Sequence, residues 1–509
     1  MADSTYSQSR IARNTLFLYA RMFITMAVSL YTSRVVLDVL GVEDYGIYNI
    51  IGGIVVLLSI ISNSMTAATQ RFITFELGSG DEERVSRTFS MSMIAHFIIC
   101  GVILLLGETI GLWYVMNELN IPQGRESAAF WVYQISMLTI FINLVRSPYN
   151  ASVIAHEKMS FYAYISILDV LLKLLAVLVL VFSPVDKLVL YGFLIMISNV
   201  IVLFAYYRYC TKSFNTCEFH FIIDRTYFKK LFGYLGWNLV GASATLGTQQ
   251  AGNLIINKYL GVAVNAAYGV SMQVSGAINQ FVTSFQTAFT PQLVKLFSQK
   301  RMDDFGELSR TSALLSYYLL FIIAFPIFVN IDYVLGLWLV EVPQYAGTFC
   351  QLLILYSLID AVQAPLWIGI NATGNIKVYE IWLSLVLILN IPLSIIVLSL
   401  GWPPYWVLIV RVLLNFITAI ARCIHVKWQF DFPIRQYLVQ VVLRVLAVTL
   451  VVFAIWYFTL SLYTIDSFPS FFLMYGVSLI STAIIIYYMG IGKSERAVLT
   501  SVVKSRLRI

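Results

Sequence analysis

The feature that most constrains this chain is a succession of apolar segments, each about 20 residues long, running through most of its length. About 20 apolar residues form a helix that crosses the hydrocarbon core of a bilayer. Fourteen segments qualify, and only 12% of the 509 residues are charged, against about 25% in an ordinary soluble domain. The sequence therefore predicts an all-α, polytopic membrane protein with about 14 transmembrane helices.

The distribution of basic residues predicts how these helices are oriented. If the N-terminus is cytoplasmic, 26 of the 33 Lys and Arg residues fall in inside segments or at the adjacent helix ends. Only Arg125, Lys187 and Lys258 fall outside, and four more lie within spans. This asymmetry follows the positive-inside rule, so we expect both termini in the cytoplasm. The net charge of +7 then reflects membrane topology, and no nucleic-acid partner is expected.

Short phrases recur about 220 residues apart and indicate a duplication. The residues LGV at 40–42 return at 260–262, SRT at 86–88 returns at 309–311, and Pro148 aligns with Pro365. Three matches in order at a nearly constant offset predict two copies of a six-helix unit, which enter the bilayer in the same orientation. We predict an N-terminal lobe (1–208), a cytoplasmic interfacial connector (209–235), a C-terminal lobe (236–427), two added helices (428–490) and a basic cytoplasmic tail (491–509).

Charged residues inside the predicted spans are the candidate functional residues. An arginine at the bilayer centre costs at least about 2.5 kcal/mol, so it normally faces a cavity or a partner. The basic members outnumber the acidic ones, which predicts a positively charged cavity for an anion such as phosphate or pyrophosphate. The basic set is Arg21, Arg34, Arg146, Lys173 and Arg411, and the acidic set is Asp38, Asp169 and Asp360.

Several of these charges also have a structural interpretation. Arg34 and Asp38 are four residues apart on one helical face, as are Asp169 and Lys173, so each couple can form an ion pair. Arg21 and Asp38 are near span ends and can extend to the membrane surface. The residues leave both interpretations open.

Asp360 is the acid that the pattern singles out, because it lies in the middle of a span. A charged carboxylate there is expensive, so it is either protonated or paired. It is thus a candidate group for H⁺ or Na⁺ coupling, or the partner of Lys173 or Arg411 in an ion pair. Arginine cannot serve in proton coupling, since it does not release its proton in proteins.

Motifs of other chemistries are missing from the sequence. No GxxxxGK[ST], HExxH or GxSxG pattern occurs, and Cys210 and Cys217, the only two of the five cysteines that lie close in sequence, do not have CxxC spacing. We therefore expect no metal site, no cofactor, free thiols and no enzymatic activity. A large outside loop, which a polysaccharide polymerase would need, is also lacking.

The stretch YTSRVVLDVLGVEDYGIYNIIGG (31–53), with ATQRFITFELGSGD (68–81) after it, resembles the opening of Wzx-type polysaccharide flippases. These are MATE-like members of the multidrug/oligosaccharidyl-lipid/polysaccharide exporter superfamily. The LGxEDYG phrase at 40–46 and the segment 148–155, from a proline to an alanine, carry the match. The resemblance implies a two-lobed carrier of the bacterial cytoplasmic (inner) membrane that works by alternating access. It also implies contacts with membrane lipids, a polysaccharide polymerase and a chain-length regulator.

The substrate implied by the resemblance is an undecaprenyl-pyrophosphate-linked oligosaccharide for O-antigen, capsule or exopolysaccharide. Its pyrophosphate would dock on Arg34 and Arg146, together with Arg21, Lys173 and Arg411. Wzx-type members usually have 12 spans, whereas lipid II flippases of the same superfamily have 14, so the lipid II substrate stays open. The other alternative is an ion-coupled multidrug efflux antiporter, which should carry an acidic cavity.

Overall fold

The computed structural model describes residues 2–117, 121, 123–222, 224–339, 342–430, 432–462 and 468–492. Within these ranges all regular structure is helical, which confirms the predicted all-α class. Ten of the described helices are long and apolar enough to cross a membrane, in keeping with a multi-pass membrane protein. The count of 14 spans and the cytoplasmic termini stay predictions, and residues 493–509 of the predicted basic tail lie outside the described residues.

The first of two compact units comprises residues 14–242. Its helices are only weakly amphipathic, because apolar residues are needed all around a helix that faces either other helices or lipid. The helices that lie in it wholly or mainly are α1 (Ala2–Ser79), α2 (Glu82–Leu106), α3 (Leu112–Asn117), α4 (Glu126–Ala155), α5 (Met159–Phe182) and α6 (Lys187–Ser213). A π-helical turn, Gly107–Gly111, joins α2 to α3.

The second unit comprises residues 243–509 together with 1–13. The long helix α7 (Arg225–Ser298) begins in the first unit and continues into the second. The remaining helices are α8 (Met302–Val329), α9 (Ile331–Trp338), α10 (Ala346–Thr373), α11 (Lys377–Ser399), α12 (Trp406–Gln429), α13 (Ile434–Tyr437), α14 (Arg444–Leu462) and α15 (Phe468–Ile485).

Each of the two longest helices is interrupted at one glycine. Gly41 in α1 has φ 77° and ψ 172°, and Gly261 in α7 has φ 81° and ψ −178°. This backbone region is essentially restricted to glycine. The two glycines belong to the recurring LGV phrase, so both copies of that phrase break a helix with the same geometry.

An arginine clamps three helix ends of the first unit together. Arg125, just before α4, binds Asp44 through Nη2–Oδ2 at 2.5 Å and Nε–Oδ1 at 2.8 Å. Its Nη1 lies 2.5 Å from Oδ2 of Asp186, the residue that caps α6 by accepting from the backbone N–H of Val189. The aspartate of the LGVEDYG phrase therefore fixes where α1 resumes after its interruption.

The Gly41→Ala and Gly261→Ala variants should each unfold at lower temperature. No atom lies within 4 Å of a Cβ added at either position, so the cost is backbone strain of about 1 to 3 kcal/mol. Gly101→Ala is the matched control, because its added Cβ also meets nothing and it lies inside helix α2. Thermal unfolding in one detergent tests this, and equal effects of all three substitutions would contradict it.

The Arg125→Gln variant should be less stable at neutral pH by about 2 kcal/mol, and this deficit should vanish in acid. Burial raises the pKa of Asp186, but hydrogen bonds from Arg125 and the backbone outweigh it and lower the pKa below 3.8. Because the folded-state pKa is depressed, the stabilisation is present above the ordinary pKa of about 4 and is lost below it, as pH falls through the lower folded-state pKa. Melting curves against pH test this.

The control for that experiment is Arg84→Gln. The Arg84–Asp81 ion pair is exposed, with side chains 68% and 43% accessible, so its loss should change stability by less than about 1 kcal/mol. A deficit in Arg125→Gln that persists unchanged at low pH would mean that the arginine stabilises the fold through packing alone.

Candidate functional site

A polar stripe runs along one face of the apolar helix α5. Its members are Tyr162, Ser166, Asp169 and Lys173, spaced four, three and four residues apart, which places them on one face of a 3.6-residue helix. Lys173 Nζ lies 2.8 Å from Asp169 Oδ2. The ion pair that the spacing allowed is thus present, and it leaves Lys173 with a 38% accessible side chain.

Arg21 of α1 lies against the upstream part of this stripe. Its guanidinium carbon is 4.8 Å from the centre of the Tyr162 ring, a cation–π distance. Its Nη1 is 3.4 Å from Ser166 Oγ, and that hydroxyl itself donates to the Tyr162 carbonyl at 2.7 Å. The Nε of Arg21 is buried and has no acceptor among the described residues.

Arg146 of α4 and Arg21 approach the same phenol. Both guanidinium groups lie within electrostatic range of the Tyr206 hydroxyl on α6, which donates to Asn150 Oδ1 at 3.2 Å. The helices α1, α4, α5 and α6 of the first unit thereby bring two of the predicted basic residues, Arg21 and Arg146, close together. We call Arg21, Arg146, Tyr162 and Tyr206 the first basic cluster.

The predicted Arg34–Asp38 pair is only partly described. The side chain of Arg34 lies outside the described residues, and the side chain of Asp38 is exposed. The pairing and the predicted role of Arg34 therefore stay predictions.

In the second unit, Asp360 of α10 pairs with Arg422 of α12, Oδ1 to Nη1 at 3.5 Å. The prediction named Lys173 or Arg411 as its partner, whereas the ion pair found is with Arg422. Arg422 also donates to Tyr379 through Nε at 3.0 Å and to Gln363 through Nη1 at 2.9 Å. Its side chain is 10% accessible, whereas that of Asp360 is 39% accessible.

A chain of amides extends this pair along the helices. Gln363 Nε2 donates to Asn415 Oδ1 at 3.1 Å, and Asn415 Nδ2 donates to the Tyr356 carbonyl at 3.1 Å. The amide of Gln363 thus accepts from Arg422 on one side and donates on the other. Each amide is oriented by its neighbour, so Arg422 is held in a fixed position.

Arg411 of α12 lies at the other end of the chain of amides. Its guanidinium carbon is 4.9 Å from the centre of the Tyr356 ring, and it is close to the hydroxyls of Tyr356 and Tyr268. We call Arg411, Tyr356, Asp360 and Arg422 the second basic cluster.

The sequence argument missed Arg422 because the residue was counted among basic groups at a cytoplasmic helix end. In the structure it is buried within α12, with 8% of its surface accessible. The sequence did contain a pattern that indicates this burial. One face of α12 carries a polar stripe whose members are spaced four, three and four residues apart, namely Arg411, Asn415, Thr418 and Arg422. Such a stripe in an apolar helix indicates that its charges face protein partners.

The basic residues of the spans divide into two kinds. Lys173 and Arg422 have acidic partners. Arg21, Arg146 and Arg411 form no ion pair with any described residue. Arg21 and Arg411 lie over tyrosine rings, and Arg146 lies within electrostatic range of the Tyr206 hydroxyl. Aromatic faces and hydroxyls hold a guanidinium group but do not neutralise it. Both clusters therefore keep uncompensated positive charge. No group of three metal-ligating side chains occurs among the described residues.

Two family models match this chain. The model of the polysaccharide biosynthesis protein family matches residues 11–297. The MatE model matches residues 243–396. Together the matches confirm the resemblance to MATE-like polysaccharide flippases that residues 31–53 indicated.

Among curated proteins, the chain is 19% identical over 285 residues to the uncharacterised membrane protein EpsK of Bacillus subtilis (strain 168). The match covers 55% of each chain, so it spans about half the length of that relative.

Solved structures show the fold. A MATE transporter in its bent conformation has a TM-score of 0.73 at 12% identity, covering 85% of this chain and 96% of its own. A MOP superfamily transporter from Pyrococcus furiosus, described as having a binding pocket of reverse polarity, has a TM-score of 0.68 at 13% identity, covering 85% of this chain and 98% of its own. The fold of this chain is therefore that of MATE transporters.

The Asp360–Arg422 pair should show strong coupling in a double-mutant cycle. Removing one partner leaves a largely buried charge unpaired, so Asp360→Asn and Arg422→Gln should each lower stability, and together by less than the sum. We expect a coupling of about 1 to 3 kcal/mol, measured by thermal unfolding in detergent.

The comparison pair is Asp169 with Lys173, four residues apart on α5, with side chains 23% and 38% accessible. Its coupling should be smaller, about 0.5 kcal/mol, because both partners lie on one helix and its basic member is more accessible than Arg422. Equal couplings for the two pairs would show that burial of Arg422 adds nothing to its interaction with Asp360.

Proposed function

This chain belongs to the polysaccharide biosynthesis protein family, and on that premise we propose that it is a lipid-linked oligosaccharide flippase. Its substrate in this proposal is an undecaprenyl-pyrophosphate-linked glycan. The glycan unit is made at the cytoplasmic face of a bacterial inner membrane and is moved across it by alternating access. The product serves the synthesis of O-antigen, capsule or exopolysaccharide, in cooperation with a polymerase and a chain-length regulator.

The observation that carries this proposal is the unneutralised charge of Arg21, Arg146 and Arg411. A guanidinium group within a membrane-spanning helix is costly unless something supplies a counter-charge. Each of these three is partly accessible. Arg21 and Arg411 lie over phenol rings, and Arg146 is within electrostatic range of the Tyr206 hydroxyl. An anionic substrate would supply the missing charge at the moment it binds.

Pyrophosphate fits the geometry of such side chains. Arginine binds phosphate through two parallel N–H···O bonds in the plane of the guanidinium group. A tyrosine ring that covers the flat face, as at Arg21 and Arg411, leaves the edges with their N–H groups directed at oxygen acceptors, as the contact of Arg21 with the Ser166 hydroxyl shows. Arg34 remains a predicted further contact. The polyprenyl tail would stay in the lipid while the glycan moves through water.

Asp360 and Asp169 have a more limited role in this proposal. Each is already bound to a basic side chain, Arg422 and Lys173 respectively. A coupling H⁺ or Na⁺ at either carboxylate would have to compete with that partner. We therefore assign these two acids to holding their basic partners, and Asp38 stays open as either a coupling group or the ion-pair partner of Arg34.

A multidrug efflux antiporter is the second candidate. The MatE match over residues 243–396 includes Asp360, whose side chain is 39% accessible, and a cationic drug needs an acid of this kind. The three unpaired arginines weigh against it, because they would repel a cation.

The proposal is tested in the source cells by deleting the gene and leaving the downstream enzymes intact. We expect lipid-linked oligosaccharide to accumulate on the cytoplasmic leaflet and the surface polysaccharide to disappear. Complementation with Arg21→Gln, Arg146→Gln or Arg411→Gln should restore about 10- to 100-fold less flux than the wild type, since each removes a charge-assisted contact worth about 1.5 to 3 kcal/mol.

The control is Arg301→Gln, which alters a basic residue of the loop before α8 whose ion pair with Asp304 is 48% and 44% accessible. It should complement fully. Normal surface polysaccharide after deletion, with cationic dyes building up in the cells, would reject the flippase and support drug efflux.

A further inference from the structure

Arg444 of α14 is a charged residue near the middle of a candidate membrane span. It lies ten residues after the start of the apolar helix Ile434–Tyr457, which is about 15 Å along the helix axis. None of the ion pairs among the described residues includes it. From 432 to 492 the only acidic residue is Asp466, which follows the end of α14 at Leu462. Neither α14 nor α15 therefore offers a carboxylate to Arg444.

Helix α8 lies beside Arg444 and is held by one hydrogen bond on each side of it. Arg310 Nη1 donates to Gln436 Oε1 at 3.2 Å, and the hydroxyls of Tyr317 and Thr449 are 2.7 Å apart. Residue numbers rise together in these two contacts, so the helices run parallel here. The three acids of α8 all lie within its first six residues, which places them more than two turns away from the level of Arg444.

The group of α8 that faces Arg444 is the hydroxyl of Tyr318. It lies within electrostatic range of the guanidinium group. The residue is 2% exposed, and its hydroxyl has no hydrogen-bond partner among the described residues. Gly490 holds the ring in place, since a Cβ added there would lie 2.8 Å from the ring carbon Cζ. A buried hydroxyl without an acceptor is costly, and an anion held by Arg444 would supply one.

The backbone before Arg444 determines where its side chain points. The preceding segment, Leu438–Leu443, is a π-helical turn, and such turns frequently occur at functional sites. Without the extra residue, Arg444 would be rotated by about 100° around the helix axis and away from α8. A long helical side chain points toward the N-terminal end of its own helix. The guanidinium group therefore extends toward the level of Arg310 and the predicted cytoplasmic surface.

The surface of α14 beside Arg444 is apolar and accessible. Leu443, Leu446 and Leu450 are 58%, 52% and 69% exposed, and Arg444 itself is partly accessible. In a membrane-spanning helix such leucines face acyl chains. A ligand that reaches Arg444 along this surface must therefore be amphiphilic, with an anionic group and an apolar part.

We propose that Arg444, Arg310 and Tyr318 bind the phosphodiester of an anionic phospholipid from the surrounding bilayer. The phosphate oxygens accept hydrogen bonds from the two guanidinium groups and from the phenol, and the acyl chains cover the exposed leucines. Basic sites between helices near the cytoplasmic surface suit anionic lipid head groups. A zwitterionic lipid suits the site less, because no acid at this level would attract its ammonium group. The proposal does not depend on the transport function.

The first test measures lipid binding to the full chain, purified in a neutral detergent. Phosphatidylglycerol should raise the unfolding temperature until the site is saturated, whereas phosphatidylcholine with the same acyl chains should not. Arg444→Gln should weaken the apparent affinity for phosphatidylglycerol at least about tenfold, because charge-assisted hydrogen bonds are lost. Arg435→Gln is the matched control, since it removes an exposed cation nine residues earlier, and it should keep the affinity.

Three outcomes of this test would overturn the proposal: no response of the wild type to phosphatidylglycerol, an equal response to both lipids, or an equal loss in both variants. If Arg444→Gln does not fold, Arg444→Lys replaces it. Lysine keeps the charge but not the planar fork of hydrogen-bond donors, so its affinity should lie between those of the wild type and Arg435→Gln on one side and zero binding on the other.

Tyr318→Phe separates binding from packing. It removes only the hydroxyl, which has no partner among the described residues. The lipid-free protein should therefore unfold at the same or a higher temperature, and its affinity for phosphatidylglycerol should fall about threefold to tenfold. A lower unfolding temperature together with unchanged affinity would show that the hydroxyl stabilises the fold and does not bind the lipid.

Two further probes identify the source of the phosphate. Inorganic phosphate should leave the unfolding temperature unchanged, because it brings no acyl chains. Protection by inorganic phosphate equal to that by phosphatidylglycerol would indicate a site for a soluble anion and reject the lipid. If polyprenyl pyrophosphate alone protects the wild type, the site belongs to the transported substrate and the proposal is wrong. None of these measurements involves transport, so their failure leaves the proposed flippase function untouched.

Discussion

A guanidinium group inside a membrane-spanning helix must find among protein groups the acceptors and the counter-charge that water would otherwise supply. In the second unit Arg422 meets this requirement fully, with a carboxylate, an amide and a phenol around one side chain. In the first unit Arg21 meets it only in part, because Tyr162 and Ser166 offer a ring face and a hydroxyl but no charge. The charge of Arg422 is therefore neutralised within the protein, whereas no described residue neutralises that of Arg21.

The helical class was predictable because it depends on the length of apolar runs, a property that a sequence displays directly. The interruption at Gly41 was visible as a repeated phrase, although its backbone geometry was not. The partner of Asp360 was beyond prediction, since it depends on which faces of α10 and α12 meet in three dimensions. The same holds for Arg21, whose contacts lie 145 residues away along the chain. Spacing four residues apart predicts pairs within one helix, such as Asp169 with Lys173, and says nothing about pairs between helices.

The two predicted copies of the repeat differ in their polar residues. Ser147 precedes Pro148 in the first, and Ala364 precedes Pro365 in the second. By the repeated SRT phrase, His96 corresponds to Leu319. The buried hydrogen bonds of Ser147 with His96 and Thr66 therefore have no counterpart at the aligned positions, whereas the ion pair of Asp360 with Arg422 occurs in the second unit. If the repeat arose by duplication, substitution afterwards gave each half its own polar interior.

The interruption of α1 occupies a single residue, and no loop separates its two halves. A loop can absorb an inserted residue, but a helix cannot, because each added residue turns everything after it by about 100°. One extra residue after Gly41 would carry Asp44 away from Arg125 and turn Thr66 away from Ser147. The spacing between these positions therefore allows substitutions but no change of length. Between α4 and α5, by contrast, a short turn ends one helix and begins the next.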